Sequence, residues 1–237
     1  MSTTMTHERQ TSLDKDGRKR IVFVFVFQIG LSAIIFLGAG TLNWPIAWAH
    51  ALFSIGTLAI GAVIIIRKSP GIINERGRTA KDTKPFDKLF TKLYAPLVFL
   101  IPLIVGLDYR FDWSTMPVAL QVIGFICLIP GIFIIYWAMS VNYFLTTTVR
   151  IQTNRGHQVC TSGPYQYVRH PMYSGFLLST IGLPLMLGSW WGLLLAFVGV
   201  ALFVWRTSQE DKMLQAELSG YVKYSQETHY RLLPGVW

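Results

Sequence analysis

Side chains able to do chemistry concentrate in two stretches of this chain. The first, 142–173, holds Gln152, Arg155, His157, Tyr165, Tyr167, Arg169, His170 and Tyr173. The second, 206–231, holds Arg206, Glu210, Asp211, Glu217, Tyr221, Tyr224 and Arg231. In the first, His170 is followed by Pro171. Proline disfavours helical geometry in the residue before it and is well tolerated in a helix's first turn, so the pair predicts a helix beginning at Pro171. A helix start offers free N–H groups and a partial positive charge, which suit a carboxylate or phosphate. The plainer reading is interfacial Tyr and Arg beside a helix cap, and both stand on the residues alone. In the second stretch, Arg206 and Glu210 at i, i+4 share one helix face, with Met213, Leu214 and Glu217 following on roughly that face. Arg before Glu is the weaker order, and an exposed pair is worth only about 0–1 kcal/mol. The pair is therefore either a solvated face or two opposite charges aimed at a zwitterionic ligand. Cys127 and Cys160 form no disulfide framework and no Cys/His spacing suited to a metal, so none is expected.

The elements that must position these residues follow from composition. Hydrophobic residues make up 52% of the 237, charged ones 14%, and mean hydropathy is +0.42. A soluble domain carries about 25% charged residues, so a soluble enzyme, a disordered tail and a secreted disulfide scaffold are all excluded. Apolar runs occur at 21–42, 45–66, 93–107, 118–140, 173–187 and 191–205, and none contains Asp, Glu, Lys or Arg. By that count no ionisable residue marks an ion pathway, which argues against a transporter. The run at 21–42 exceeds the 7–15 residues of a signal-peptide core and reads as a retained helix.

Lys and Arg number 5 in 1–20, 8 in 67–92, 3 in 141–172 and 4 in 206–237, leaving Arg110 as the exception. Alternating spans put these four segments on one face, and the positive-inside rule makes that face cytoplasmic, both termini included. The net charge of +9 thus reads as anchoring beside anionic lipid, with no nucleic-acid role. The expected fold is an all-α integral membrane protein with five to six membrane helices. Its expected parts are a polar segment 1–20, four spans in 21–140 with a cytoplasmic loop 67–92, and a catalytic region 141–237. Pro96 and Pro102 predict a bent third span. The last two apolar runs are 15 residues each, short for a core about 30 Å thick, and predict a helical hairpin leading to a cytoplasmic C-terminal helix.

The run Gly163-Pro164-Tyr165, then Arg169-His170-Pro171-Met172-Tyr173-Ser174-Gly175, followed after the hairpin by Arg206 and Glu210-Asp211, resembles the isoprenylcysteine carboxyl methyltransferases. It also resembles their relatives, the phospholipid N-methyltransferases. Gly220-Tyr221, Tyr224 and Arg231 through Pro234-Gly235 are similar to that family's closing segment, and 71–87 to the loop of its bacterial members. Asp211 departs from the pattern, which usually has Glu.

The resemblance implies an S-adenosylmethionine-dependent methyltransferase working at the cytoplasmic membrane boundary, in a bacterial inner membrane, on a lipophilic or lipid-modified acceptor from the bilayer. Carboxyl O-methylation of an isoprenylcysteine-like group is the leading expectation. A phospholipid-type N-methylation and an NADPH-dependent sterol-type reduction are the alternatives. The implied cofactor-binding residues are Gln152, His157, Gln158, Val159, Cys160, Tyr165, His170, Pro171, Met172, Tyr173 and Glu210. Glu210 would take the cofactor's ammonium, the Arg169-His170-Pro171 helix start its carboxylate or ribose, and Tyr165 or Tyr173 its adenine. Arg206 would orient a carboxylate acceptor, while an amine acceptor would lose its proton to His170 or Glu210. No metal is implied. All of it requires Tyr173 and Glu210 to reach one small molecule.

Overall fold

Prolines and short polar caps set the helix starts. Pro45, Pro70, Pro85 and Pro171 each open a helix, where a missing N–H costs nothing. Asp14 caps α1 by accepting from the Gly17 N–H at 2.8 Å, and Ser189 caps α7 through the Gly192 N–H at 2.9 Å. The computed structural model describes residues 12–78, 80 and 82–237. In them the chain forms α1 (Lys15–Ala39), α2 (Pro45–Lys68), α3 (Pro70–Gly77), α4 (Pro85–Phe111), α5 (Val118–Val141), α6 (Pro171–Met186), α7 (Trp190–Glu217) and α8 (Tyr221–Glu227). Two 3-10 turns, Thr153–Arg155 and Gly163–Gln166, lie between α5 and α6.

This is an all-α integral membrane protein. The helices α1, α2, α4, α5 and α7 are long and apolar enough to cross a bilayer. Their outward faces carry Leu37, Leu52, Val118 and Phe133, exposed by 62–74%. Such residues find no solvent but lipid. The sixth, α6, has 16 residues, about 24 Å at 1.5 Å each, and lies buried among its neighbours rather than facing outward.

Small residues let the backbones close. A Cβ added at Gly175 of α6 would stand 2.5 Å from the Gly131 carbonyl oxygen of α5, and one at Gly124 would stand 2.3 Å from the Met186 nitrogen. The α5–α6 pair is therefore antiparallel and glycine-tight, as helix contacts in membranes favour. Helices α4 and α7 run antiparallel too, from Ser189 against Asp108 at one end to Lys84 against Glu217, 2.7 Å apart, at the other. This arrangement gathers the basic segments at one end of the bundle. The opposite end carries Trp44 stacked on Tyr109 at 3.9 Å, with Trp113, Trp190 and Trp191 exposed beside them, an aromatic girdle of the membrane-interface kind.

Several boundaries differ from the sequence expectation. Of the polar segment 1–20, residues 1–11 lie outside the described residues, while 15–20 are already the first turn and a half of α1, because Asp14 provides a cap. The loop 67–92 contains α3. Helix α4 extends beyond the apolar run 93–107 at both ends, with Pro96 and Pro102 inside it. The final apolar run does not end at Trp205: α7 carries on through Arg206 to Glu217.

Candidate functional site

The 3-10 turn Gly163–Gln166 folds the segment after α5 back under that helix. Gly163 has φ 60°, and a Cβ there would stand 3.0 Å from the Trp137 indole nitrogen, so both the turn and its close approach need glycine. Tyr165 is thereby buried, and its carbonyl accepts the Tyr224 hydroxyl of α8 at 2.7 Å. The C-terminal segment pairs with the chain before α6: the Arg169 N–H donates to the Tyr230 carbonyl and the His170 N–H to that of Arg231, both at 2.9 Å. The start of α6, the end of α7, α8 and the terminal segment thus meet at the basic end of the bundle.

Asp211 joins them. Its side chain is fully buried. It accepts Arg169 through Nε at 2.8 Å and Nη2 at 2.9 Å, Arg231 at 2.9 Å, the Tyr221 hydroxyl at 2.8 Å and Gln215 at 3.0 Å. The His170 ring nitrogen lies 3.4 Å from the same carboxylate. The remaining Arg169 donor goes to the carbonyls of Thr228 and His229, each at 2.8 Å. Burial alone would lower the Arg169 pKa, but the two bonds to Asp211 and its charge outweigh that and raise it. Burial, then the charge of Asp211, pushes the Tyr221 phenol up, which keeps it protonated as a donor.

One residue earlier on α7, Glu210 accepts the Tyr173 hydroxyl at 2.6 Å. The two residues whose convergence decides the reading are in direct contact. Both line a cleft of about 90 Å³ that opens to the surface. Its walls include His157, Gln158, Val159 and Cys160 on one side, Tyr165, Arg169, His170, Met172 and Tyr173 on another, and Glu210, Met213, Tyr221 and Tyr224 opposite. Burial holds the Tyr165 phenol well above its ordinary pKa, so it stays neutral.

Of the expected residues, Gln152, Pro171 and Arg206 do not line the cleft. Gln152 is 2% exposed; its amide donates to the Phe144 carbonyl at 2.6 Å and its oxygen accepts Arg155. It props the cleft's loop from behind. Pro171 packs as the first residue of α6. Arg206 is buried behind Tyr173, 2.7 Å from the Asp87 carboxylate, with its guanidinium 4.5 Å from the Phe90 ring centre and 5.0 Å from that of Tyr173. Its Nε has no hydrogen-bond partner. Arg206 and Glu210 do share a face but make no ion pair with each other, each being engaged by another helix. Sequence reasoning missed Asp87 and Phe144 around this site, while Met213 lies on the face of α7 that it expected. The pairing of Asp87 with Arg206 joins α4 to α7 and has no local sequence signal.

His157 packs on the Phe144 ring with centroids 4.8 Å apart. Burial, and secondarily Arg155, pushes its pKa down to about 4 from the ordinary 6.5. The unfolded chain then binds a proton between pH 6.5 and 4 that the folded protein refuses, so this stability is complete above pH 6.5 and is lost as pH falls toward 4. Thermal unfolding across that window should show a smaller acid loss for His157→Gln than for the native protein. An identical acid profile for the two would mean that the ring is not held neutral.

Residues 120–219 match the phospholipid methyltransferase family. Protein-S-isoprenylcysteine O-methyltransferase B of Arabidopsis thaliana is 32% identical over 87 residues, covering 34% of this chain and 42% of that protein. Protein-S-isoprenylcysteine O-methyltransferase of Schizosaccharomyces pombe is 31% identical over 114 residues, 47% of this chain and 46% of that protein. The chain spans less than half the length of these curated relatives. Both bear out the resemblance read from the two motifs. Most of the cleft's lining, from α5 to the end of α7, falls within residues 120–219, the stretch in which this chain is similar to the phospholipid methyltransferases.

Proposed function

We propose that this chain is an S-adenosylmethionine-dependent membrane methyltransferase whose acceptor is lipophilic and whose cofactor occupies the cleft at the basic end. The observation that carries the reading is the contact of Tyr173 with Glu210 at 2.6 Å inside that cleft. The residues there fit the cofactor's parts. Glu210 is a carboxylate for its ammonium, Tyr165 and Tyr173 offer ring faces for its adenine, and the start of α6 offers backbone N–H to its carboxylate. When bound, the cofactor supplies an electrophilic methyl group on a sulfonium.

The protein's own part is positional. Methyl transfer requires neither a covalent protein nucleophile nor a metal, so the gain comes from alignment and from excluding water. Asp211 fixes Arg169 and His170 so that the start of α6 faces the cleft floor. Arg206, held by Asp87 and stacked on Tyr173, fixes that ring from behind. A carboxylate acceptor is already ionised near pH 7 and needs no base; this favours O-methylation of an isoprenylcysteine-like group. The match to the phospholipid methyltransferase family favours a second reading, N-methylation, in which His170 or Glu210 would take the amine's proton. The positive-inside rule sets the basic end in the cytoplasm, of a bacterial inner membrane in this reading.

Membranes containing the protein, incubated with methyl-labelled S-adenosylmethionine, should transfer label to a lipid-extractable product. Label released by mild base means an ester, and label that survives base means an amine. Failure of the protein to bind or consume the cofactor would end the proposal.

A further inference from the structure

A second chamber of about 340 Å³, open on one side, lies between the helices and is lined by α1, α2, α4, α5 and α6. It is within the size range of small-molecule sites. Its walls are mostly aliphatic, yet two of its polar atoms have no hydrogen-bond partner: Nδ1 of His50 and Oγ of Ser32. Both residues are only 7% exposed. A buried polar atom left unpaired costs about 1–3 kcal/mol, and native structures rarely tolerate it without a reason. In a bilayer, a histidine of this kind points to function by default.

The chemistry of the missing partner follows from the imidazole. His50 Nε2 lies 3.2 Å from the Ser54 hydroxyl, one turn on. If Nε2 donates there, Nδ1 is an acceptor; if Ser54 donates, Nδ1 carries the proton. A hydroxyl group is both donor and acceptor, so it satisfies either tautomer and Ser32 as well. The rest of the chamber wants an apolar body. Leu31, Ile35, Leu97, Ile101, Leu128 and Ile132 line it.

The chamber's other end adjoins the cleft. Tyr94 and Phe176 line the chamber, Tyr173 lines the cleft, and Phe203 packs against all three, with ring centroids 4.9, 5.7 and 5.6 Å away. One aromatic layer separates the two spaces. From Tyr94 to Pro102 on α4 the chamber extends about 12 Å along the bundle.

We propose that this chamber binds a hydroxyl-bearing lipophile, its apolar body among the helices and its hydroxyl held by His50 Nδ1 and Ser32 Oγ. Such a molecule arrives through the bilayer. The site stands on its own lining and does not depend on the methyl-transfer reading, so its test reads binding alone.

The protein in lipid nanodiscs would be photolabelled with a diazirine derivative of 1-decanol and, separately, of decane. The expected result is that the alcohol labels peptides of α2 and α4 and is competed by unlabelled 1-decanol but not by decane. His50→Leu and Ser32→Ala should each weaken this competition roughly three- to tenfold, the worth of one net hydrogen bond. Ser32→Ala decides alone if His50→Leu does not fold. Equal labelling by alcohol and alkane, labelling unaffected by the substitutions, or no labelling at all would each overturn the proposal, the last meaning that the chamber holds water or lipid tails only.

Discussion

Replacing Asp211 with alanine should cost about 3–5 kcal/mol of stability, the largest effect expected from any single substitution in this protein. The size follows from burial. An exposed ion pair such as Lys223 with Glu227, where the side chains are 84% and 63% exposed, contributes little, and Lys223→Ala should leave the melting temperature where it is. Asp211 has no solvent to fall back on, and its loss strands Arg169 and leaves Tyr221 and Arg231 without their shared acceptor. Because those partners come from the chain before α6, from α8 and from the terminal segment, the cleft end should loosen as one unit. Thermal unfolding in detergent and limited proteolysis beyond residue 217 both read this. An alanine variant that melts with the native protein and resists the protease equally would refute the keystone role. Asp211→Glu keeps the charge but adds a methylene to a fully packed site, an overpacking cost of about 1–3 kcal/mol. The shorter side chain that departs from the family pattern is the one this packing accepts.

The second large effect falls on the cofactor. Glu210→Gln keeps the shape and an acceptor oxygen for Tyr173, so the ligand-free protein should melt as the native one does. It removes the only negative charge that the described residues place on the cleft wall. A hydrogen bond to a charged group contributes about 1.5–3 kcal/mol, so S-adenosylmethionine should bind roughly 12- to 140-fold more weakly. Calorimetry on the purified protein measures both halves. Unaltered affinity would take Glu210 out of the proposed ammonium contact.

The spans were legible because a membrane helix declares itself by composition, and the basic segments declared which ends lie together. The helix ends were less so. Lys15–Arg20 reads as polar tail until Asp14 is recognised as a cap, and α7 outruns its apolar stretch because Arg206 and Asp211 are paired inside protein rather than left in lipid. At the site, Tyr173, His170 and Glu210 were legible through the spacing of two motifs. What joins them was not: Asp87 with Arg206 and Asp211 with Arg169 are contacts between distant segments, for which one sequence carries no pattern. His50 escaped notice for a simpler reason. Counting only Asp, Glu, Lys and Arg inside the apolar runs passes over the one side chain whose protonation state can be either.

The brevity of α6 has a further consequence. It starts level with Glu210 and Asp211 of α7, which continues to Glu217, about 9 Å higher. A short stave among long ones makes the bottom of a well. Whatever dissolves in the aqueous phase has to descend to that floor, whereas a molecule already travelling among the acyl chains meets it at its own depth. The bundle's uneven rim thereby sorts partners by the phase they come from before any side chain touches them.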